Sequence, residues 1–190
     1  MNPQPVKHLI LMACSATKGR VAAPAMDLYQ GVMYSTFRAN APATRPAIVI
    51  LSAKHGFIEA NSIIEPYEQR MTEARADEMV AALPAFDAIE WPCGVNSILM
   101  AGGKTYQRVM RAAIAHRIEL GLLDADITIE NTHGGIGYQR SQLGAHLRAL
   151  VDSYTTELDG KFSACHPRSG FSNTLNQMHK LRKAMKSSKV

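Results

Sequence analysis

Four short apolar runs stand out along the chain, at residues 7–13, 47–51, 97–101 and 127–131. Each is rich in Ile, Leu or Val and bounded by polar or glycine-bearing residues. Runs of that length and composition predict strands buried on both faces, as in a parallel sheet. Helical patterns lie between and after them. The clearest places Leu143, Leu147, Leu150, Val151 and Tyr154 on one face at spacings of three and four. A second covers 104–118, with Tyr106, Val109, Met110, Ala113 and Ile114 as its buried stripe and Gly121 as a stop signal. A third covers 72–82, with Thr72 as N-cap and Pro84 closing it. Alternating strands and helices predict an α/β fold. The expected form is a three-layer α/β/α sandwich around a mainly parallel four-stranded sheet, because right-handed crossovers place helices on both faces.

Composition narrows the class. The chain has 190 residues, 46% hydrophobic and 19% charged, which is a globular balance at single-domain size. No run of about 18 apolar residues appears, so no membrane partner is expected. The first residues are unlike a signal peptide, and a cytoplasmic address is the expectation. Cys14, Cys93 and Cys165 are odd in number and lack Cys-x-x-Cys spacing, which suggests neither a disulfide framework nor a zinc site.

Charge is uneven. Seven of the 21 basic residues, and no acid, fall within 161–190, so the rest of the chain holds 14 basic against 16 acidic residues. We expect an α/β domain over 1–158 and a basic linker and helix over 159–190, with the linker at 160–173 and the helix at 174–185. Lys180, Arg182, Lys183 and Lys186 are the expected nucleic-acid contacts, since a cationic tail is the usual footprint of a polyanion partner. DNA is favoured over RNA.

Ligands of parallel sheets bind beyond the carboxyl ends of the strands. All four ends here are polar: Cys14-Ser15-Ala16-Thr17-Lys18, Ser52-Ala53-Lys54-His55-Gly56, Gly102-Gly103-Lys104 and Thr132-His133-Gly134-Gly135. The paired glycines Gly102-Gly103 and Gly134-Gly135 precede helices and leave backbone N–H groups open to a phosphate. Neither pair completes a phosphate-loop or dinucleotide fingerprint, so ATP, GTP and NAD are not favoured and no cofactor is expected. Lys18, Lys54 and Arg140 add positive charge around the same rim. Asp27 and Glu68, each near a tyrosine (Tyr29 and Tyr67), are the candidate acids that would orient water and offset a sugar cation. Tyr29 or Tyr67 would stack on a base, and Ser52 or His133 would contact it. His55 and His133 sit at strand ends without metal-ligand spacing, so no metal is expected; His133 is the candidate donor to a departing base.

The order of these segments carries a resemblance. Cys14-Ser-x-x-Lys18, Pro24-Ala-x-Asp27-Leu-Tyr29, Leu51-Ser-Ala-Lys-His-Gly56, Pro66-Tyr67 and Gly135-Ile-Gly-Tyr-Gln-Arg140 together look like a family of largely uncharacterised bacterial and phage proteins. That family resembles the uracil-DNA glycosylase-like fold. Its middle motif is similar to the glycosylase-like domain found beside tRNA transglycosylase relatives. The resemblance implies a DNA glycosylase that flips out a base, such as a glucosylated hydroxymethylcytosine of phage DNA, and leaves an abasic site, as in antiviral defence. The sequence lacks the Gly-Gln-Asp-Pro-Tyr water-activating motif of the uracil enzymes and carries His55 where relatives often have tyrosine. Two other functions stay open: a transferase or hydrolase acting on free nucleotides or a tRNA base, and a non-catalytic nucleotide-sensing module.

Overall fold

The structure, a computed structural model, describes residues 8–42 and 46–163, with side chains as far as Val151. The chain divides into two compact units, Met1–Val151 and Asp152–Val190. The sheet and its loops belong to the first.

Seven strands form. β1 (His8–Ala13), β3 (Ala47–Ser52), β4 (Gly56–Glu59), β6 (Ser97–Ala101) and β7 (Thr128–Asn131) make a five-stranded sheet in the order β4-β3-β1-β6-β7. β1 runs parallel to β3 and β6, and β6 parallel to β7, while β4 returns antiparallel to β3. β2 (Ala23–Pro24) and β5 (Ile63–Ile64) pair separately as a two-stranded antiparallel ribbon. The mainly parallel α/β sheet is as the pattern predicts, but with five strands and not four, and β7, at the sheet edge, is exposed along its length and not buried on both faces as its apolar run suggested. The extra strand comes from Ser52-Ala53-Lys54-His55-Gly56, which is a hairpin turn into β4 and not an open strand-end loop, with Ser52 facing Gly56 across the ladder. Gly56 permits the turn because φ is +76° and a side chain there would collide with the Phe86 carbonyl.

The helices are α1 (Ala25–Leu28), α2 (Val32–Asn40), α3 (Glu73–Ala81), α4 (Leu83–Phe86), α5 (Lys104–Glu119) and α6 (Ile136–Ser163). Strand alternation divides the core in two. Leu9, Leu11, Val49, Leu51, Ile98 and Met100 pack one face of the sheet against Ala76 and Met79 of α3 and Val109, Met110 and Ala113 of α5. Ile10, Met12, Ile50, Leu99 and Ala101 pack the other against Tyr34 and Phe37 of α2 and Leu143 and Leu147 of α6. Each fully buried aliphatic side chain contributes about 1.5–3 kcal/mol, so two such layers hold the sheet rigid beneath its loops.

Local signals fix several ends. The Thr72 hydroxyl accepts from the Arg75 N–H and caps α3. Gly121 takes φ +69° just past α5. Pro84 does not close α3; it sits in the first turn of α4, where a missing N–H is harmless. Val151 is partly exposed and not part of the buried stripe of α6, which rests on Leu143, Leu147 and Leu150. α6 continues through residues 160–163, so the segment expected as linker begins in helix. The terminal helix expected at 174–185, with Lys180, Arg182, Lys183 and Lys186, lies outside the described residues, as does Cys165.

A buried ion pair pins the far end of α5. The Arg117 guanidinium donates to both Asp87 carboxylate oxygens at 2.7 and 2.8 Å and lies 4.4 Å from the Trp91 ring centroid. Trp91 Nε1 donates to the same carboxylate at 2.9 Å.

Candidate functional site

From β1 the chain crosses to β3 on one side of the sheet, and it later enters β6 on the other. The carboxyl ends of β1 and β6 therefore flank the point where the winding reverses, and the loops that leave them diverge to opposite faces. A cleft of about 440 Å³ lies there, walled by the β1 loop from Ala13 to Thr17, by Gly31–Tyr34 and by Gly102, Gly103 and Tyr106. Ile136 and Gln139 of α6 complete it.

Three helices begin at this cleft. Gly31 is the N-cap residue of α2 and Gly103 that of α5, and no side chain caps either helix. α6 starts at Ile136. The first N–H groups of a helix have no partner within it, and the aligned peptide dipoles place partial positive charge there. Among the described residues no Asp or Glu lines the cleft. Its polar character is thus that of a donor site, suited to an anion. Val32 and Ile136, at its walls, are 44% and 56% exposed, which gives it an apolar lip as well.

Two of the glycines are at their positions for different reasons. A Cβ on Gly102 would stand 2.5 Å from Ala13 Cβ, so the close approach of the β6 and β1 ends requires glycine. Gly103 meets nothing within 4 Å and has an ordinary φ of −69°. Packing does not demand a glycine there; what glycine provides is open space over the α5 N-terminus.

Cys14 is half-buried, with Sγ 3.1 Å from the Tyr106 hydroxyl. Burial, with Cys14 beside it, pushes the Tyr106 phenol well above its ordinary range, so it remains a hydrogen-bond donor. Ser15 Oγ accepts from the Thr17 N–H at 3.1 Å, turning the β1 loop over the cleft.

The tyrosines near the acids form a second, closed arrangement. Tyr29 is fully buried, and its hydroxyl lies 2.7 Å from that of Tyr67, which in turn lies 2.7 Å from Ser52 Oγ. Ser52 also accepts from the Lys54 and His55 N–H groups. Burial pushes the Tyr29 phenol up to about 12, with hydrogen bonds from Tyr67 and Ser52 opposing. Burial pushes Tyr67 up further, with Cys14 adding to it. The Lys18 and Lys54 ammoniums lie 4.4 and 5.5 Å from the Tyr67 ring centroid, and His55 meets the ring edge-on at 5.2 Å. Desolvation, then Lys54, lowers the His55 imidazole below its usual value. Tyr29 thus packs inside the core and Tyr67 is enclosed by its neighbours, so neither offers the open face that base stacking needs.

The residues expected to share one site therefore fall into groups. Cys14, Ser15, Gly102 and Gly103 meet at the cleft. His133 and Gly134 join Gly102 and Gly103 at an adjoining cavity. Tyr29, Ser52, Tyr67, Lys18, Lys54 and His55 gather around the tyrosine chain. Gly56 is committed to the hairpin. Gly135 accepts the Gln139 N–H in the first turn of α6, and Arg140 lies one turn on. Asp27 and Glu68 are both exposed and are not among the residues lining the cleft, contrary to the expectation that they face it with the glycine loops. Sequence reading missed Gly31, Tyr34 and Gln139, and it took Tyr106 for core alone. A glycine ahead of Tyr34 and Phe37 at a spacing of three was the available signal for α2. Among the described residues no cluster of three His, Cys, Asp or Glu is arranged to hold a metal, and no helix is long and apolar enough to cross a membrane.

Comparison with known proteins places the chain in a family. A family model described as a family of unknown function, DUF6884, matches residues 9–135. The chain belongs to DUF6884. The matched segment of this DUF6884 member runs from β1 to the second glycine pair and so contains all three loops of the cleft except the α6 wall. No curated protein matches. A solved structure titled as that of AF0587, a protein of unknown function, is similar at 11% identity and a TM-score of 0.41, covering 74% of this chain. The chain spans 44% of the length of that protein.

Proposed function

We propose that the cleft binds a nucleotide unit, phosphate toward the uncapped helix N-termini and base against the apolar lip, and that the protein hydrolyses the N-glycosidic bond of that unit. One observation carries this reading: three helix N-termini converge, with no carboxylate among the described lining residues, on a cavity at the point where the sheet reverses its winding. The volume of about 440 Å³ suits a small ligand of nucleotide size. The resemblance of the loop motifs to glycosylase-like proteins supports the choice of reaction.

Hydrolysis breaks the C1′–N bond with the electron pair leaving on the base, and water adds to C1′. The proton released by water ends on the base. The Tyr106 hydroxyl, on the wall of the cleft, is a donor suited to a base that leaves with negative charge. The phosphate of the substrate, held beside the sugar, would offset the developing positive charge that a carboxylate offsets in other glycosidases.

A nucleotide-sensing module without turnover is the second reading, and the carboxylate-free lining of the cleft is the observation that favours it. Incubating the protein with DNA strands carrying unmodified, hydroxymethylated and glucosylated bases, and with free nucleotides, separates the possibilities. Abasic sites in any strand are the expected result. Base release from free nucleotides alone would transfer the activity to that substrate class, and binding without release would support the sensor.

A further inference from the structure

Two cavities adjoin the cleft. One, of about 540 Å³, lies between α2 and α6 just beyond it: the walls of the cleft on α2 end at Tyr34, and those of its neighbour begin at Ser35. The other, of about 870 Å³, opens beside the end of β7 and shares Gly102, Gly103 and Gln139 with the cleft. Arg140 and Arg148 line the first, and Lys104, Arg111 and His133 line the second. Among the described residues no Asp or Glu lines either one.

Not every arginine of the fold is held by an acid. Arg75, Arg108 and Arg117 each pair with a carboxylate at 2.7–2.8 Å. Arg148 instead donates to the neutral Asn40 amide oxygen at 2.8 Å, and Arg111 to the amide oxygens of Gln107 at 3.3 Å and Asn131 at 3.1 Å. Both guanidiniums are positioned by neutral side-chain oxygens where they line the cavities. In the first turn of α6, Tyr138 is 74% exposed and stands beside Gly134, a wall of the second cavity. A tyrosine open to that degree beside cationic walls is a platform on which a base stacks.

A free mononucleotide carries its phosphate on one side of its base and needs cations on that side alone. Cations on both sides of the cleft match a ligand whose phosphates continue in both directions. We propose that the three cavities form one track for a single-stranded nucleic acid, with one nucleotide in the cleft and its neighbours' phosphates on Arg140 and Arg148 one way and on Lys104 and Arg111 the other. This rests on the reading of the cleft as a nucleotide site and adds where the flanking phosphates of a polymer are held. It assigns the contacts to the folded body, independently of the basic segment at 161–190.

Fluorescence anisotropy with a labelled single-stranded DNA oligonucleotide, set beside calorimetry with the common deoxynucleoside 5′-monophosphates, tests it on full-length protein. The Arg140→Gln/Arg148→Gln variant should bind the oligonucleotide about tenfold or more weakly, and its salt slope should flatten by roughly 0.7 for each phosphate that the variant no longer neutralises. Its mononucleotide affinity should be unchanged. Lysine at both positions should restore most of the oligonucleotide affinity, and an unaltered circular dichroism spectrum would show that the glutamine variant is folded. Oligonucleotide binding that is insensitive to the substitutions, with mononucleotides still bound, would overturn the track and leave the cleft as a nucleotide site. Failure of both ligands to bind wild-type protein would overturn both.

Discussion

The carboxyl edge of the sheet carries two polar regions that differ in what their hydrogen-bonding groups have left to do. Around Tyr29, Tyr67 and Ser52 each hydroxyl is held by another hydroxyl, and the rings are buried or enclosed. Around Gly31, Gly103 and Ile136 the donors belong to helix ends that no side chain caps at α2 or α5, and the space before them is open. Aromatic and acidic residues mark the first region in the sequence, yet it is the satisfied one. Free valence for a ligand lies in the second, whose residues are mostly small.

The largest expected effect tests the structural role of the tyrosine chain. Tyr67→Ala should lower the unfolding free energy by about 3–5 kcal/mol in urea titrations, as large aromatic deletions in cores do. Tyr67→Phe should cost about 1–3 kcal/mol, because it leaves the buried Tyr29 hydroxyl without its partner. A loss of ligand affinity from Tyr67→Phe with no loss of stability would reverse the contrast between the two regions.

Gly103→Asp acts on the other side. An aspartate at the N-cap would satisfy the α5 N–H groups from within the chain and bring negative charge to the cleft. Stability should rise by a few tenths of a kcal/mol, while affinity for a phosphate-bearing ligand falls tenfold or more. Retained affinity would exclude the α5 N-terminus as the anion site.

Alkaline pH gives a third test. The Tyr29 phenol is raised from 10.0 to about 12 in the fold, so the unfolded chain gives up this proton first. Its contribution is complete below pH 10.0 and is lost as pH rises through about 12. The stability difference between wild type and Tyr29→Phe should therefore shrink across that window by on the order of 2 kcal/mol in denaturation curves. A difference that stays constant would contradict the burial of the phenol.

The smallest effect is expected at the exposed acids. Asp27→Asn and Glu68→Gln should each change stability by less than about 0.5 kcal/mol and leave both ligand affinity and turnover as they were. Loss of turnover in either would bring the acid back to the reaction and require the cleft to extend to it.

The strands at 47–51 and 97–101 were legible in sequence because burial on both faces leaves an uninterrupted apolar run. α5 was legible from its period and Gly121. β4 was not: Gly56-Phe57-Ile58-Glu59 follows three turn residues, and only pairing with β3 separates a hairpin from a ligand loop. The site was half legible. The polar loop after β1 and the glycines after β6 are visible in sequence, but which strand ends are neighbours depends on the order β3-β1-β6, which no local pattern records. The same blindness joined Asp27 and Glu68 to a cleft that neither lines.

The contrast between the two regions can be read in one titration. In a ¹⁵N-labelled sample titrated with a deoxynucleoside monophosphate, backbone amides of Val32, Met33, Lys104, Thr105 and Tyr106 should shift together, while those of Tyr29 and Tyr67 stay in place. Shifts confined to Tyr29, Tyr67 and the adjacent Lys18 and Lys54 would contradict the account and return the ligand to the tyrosine chain.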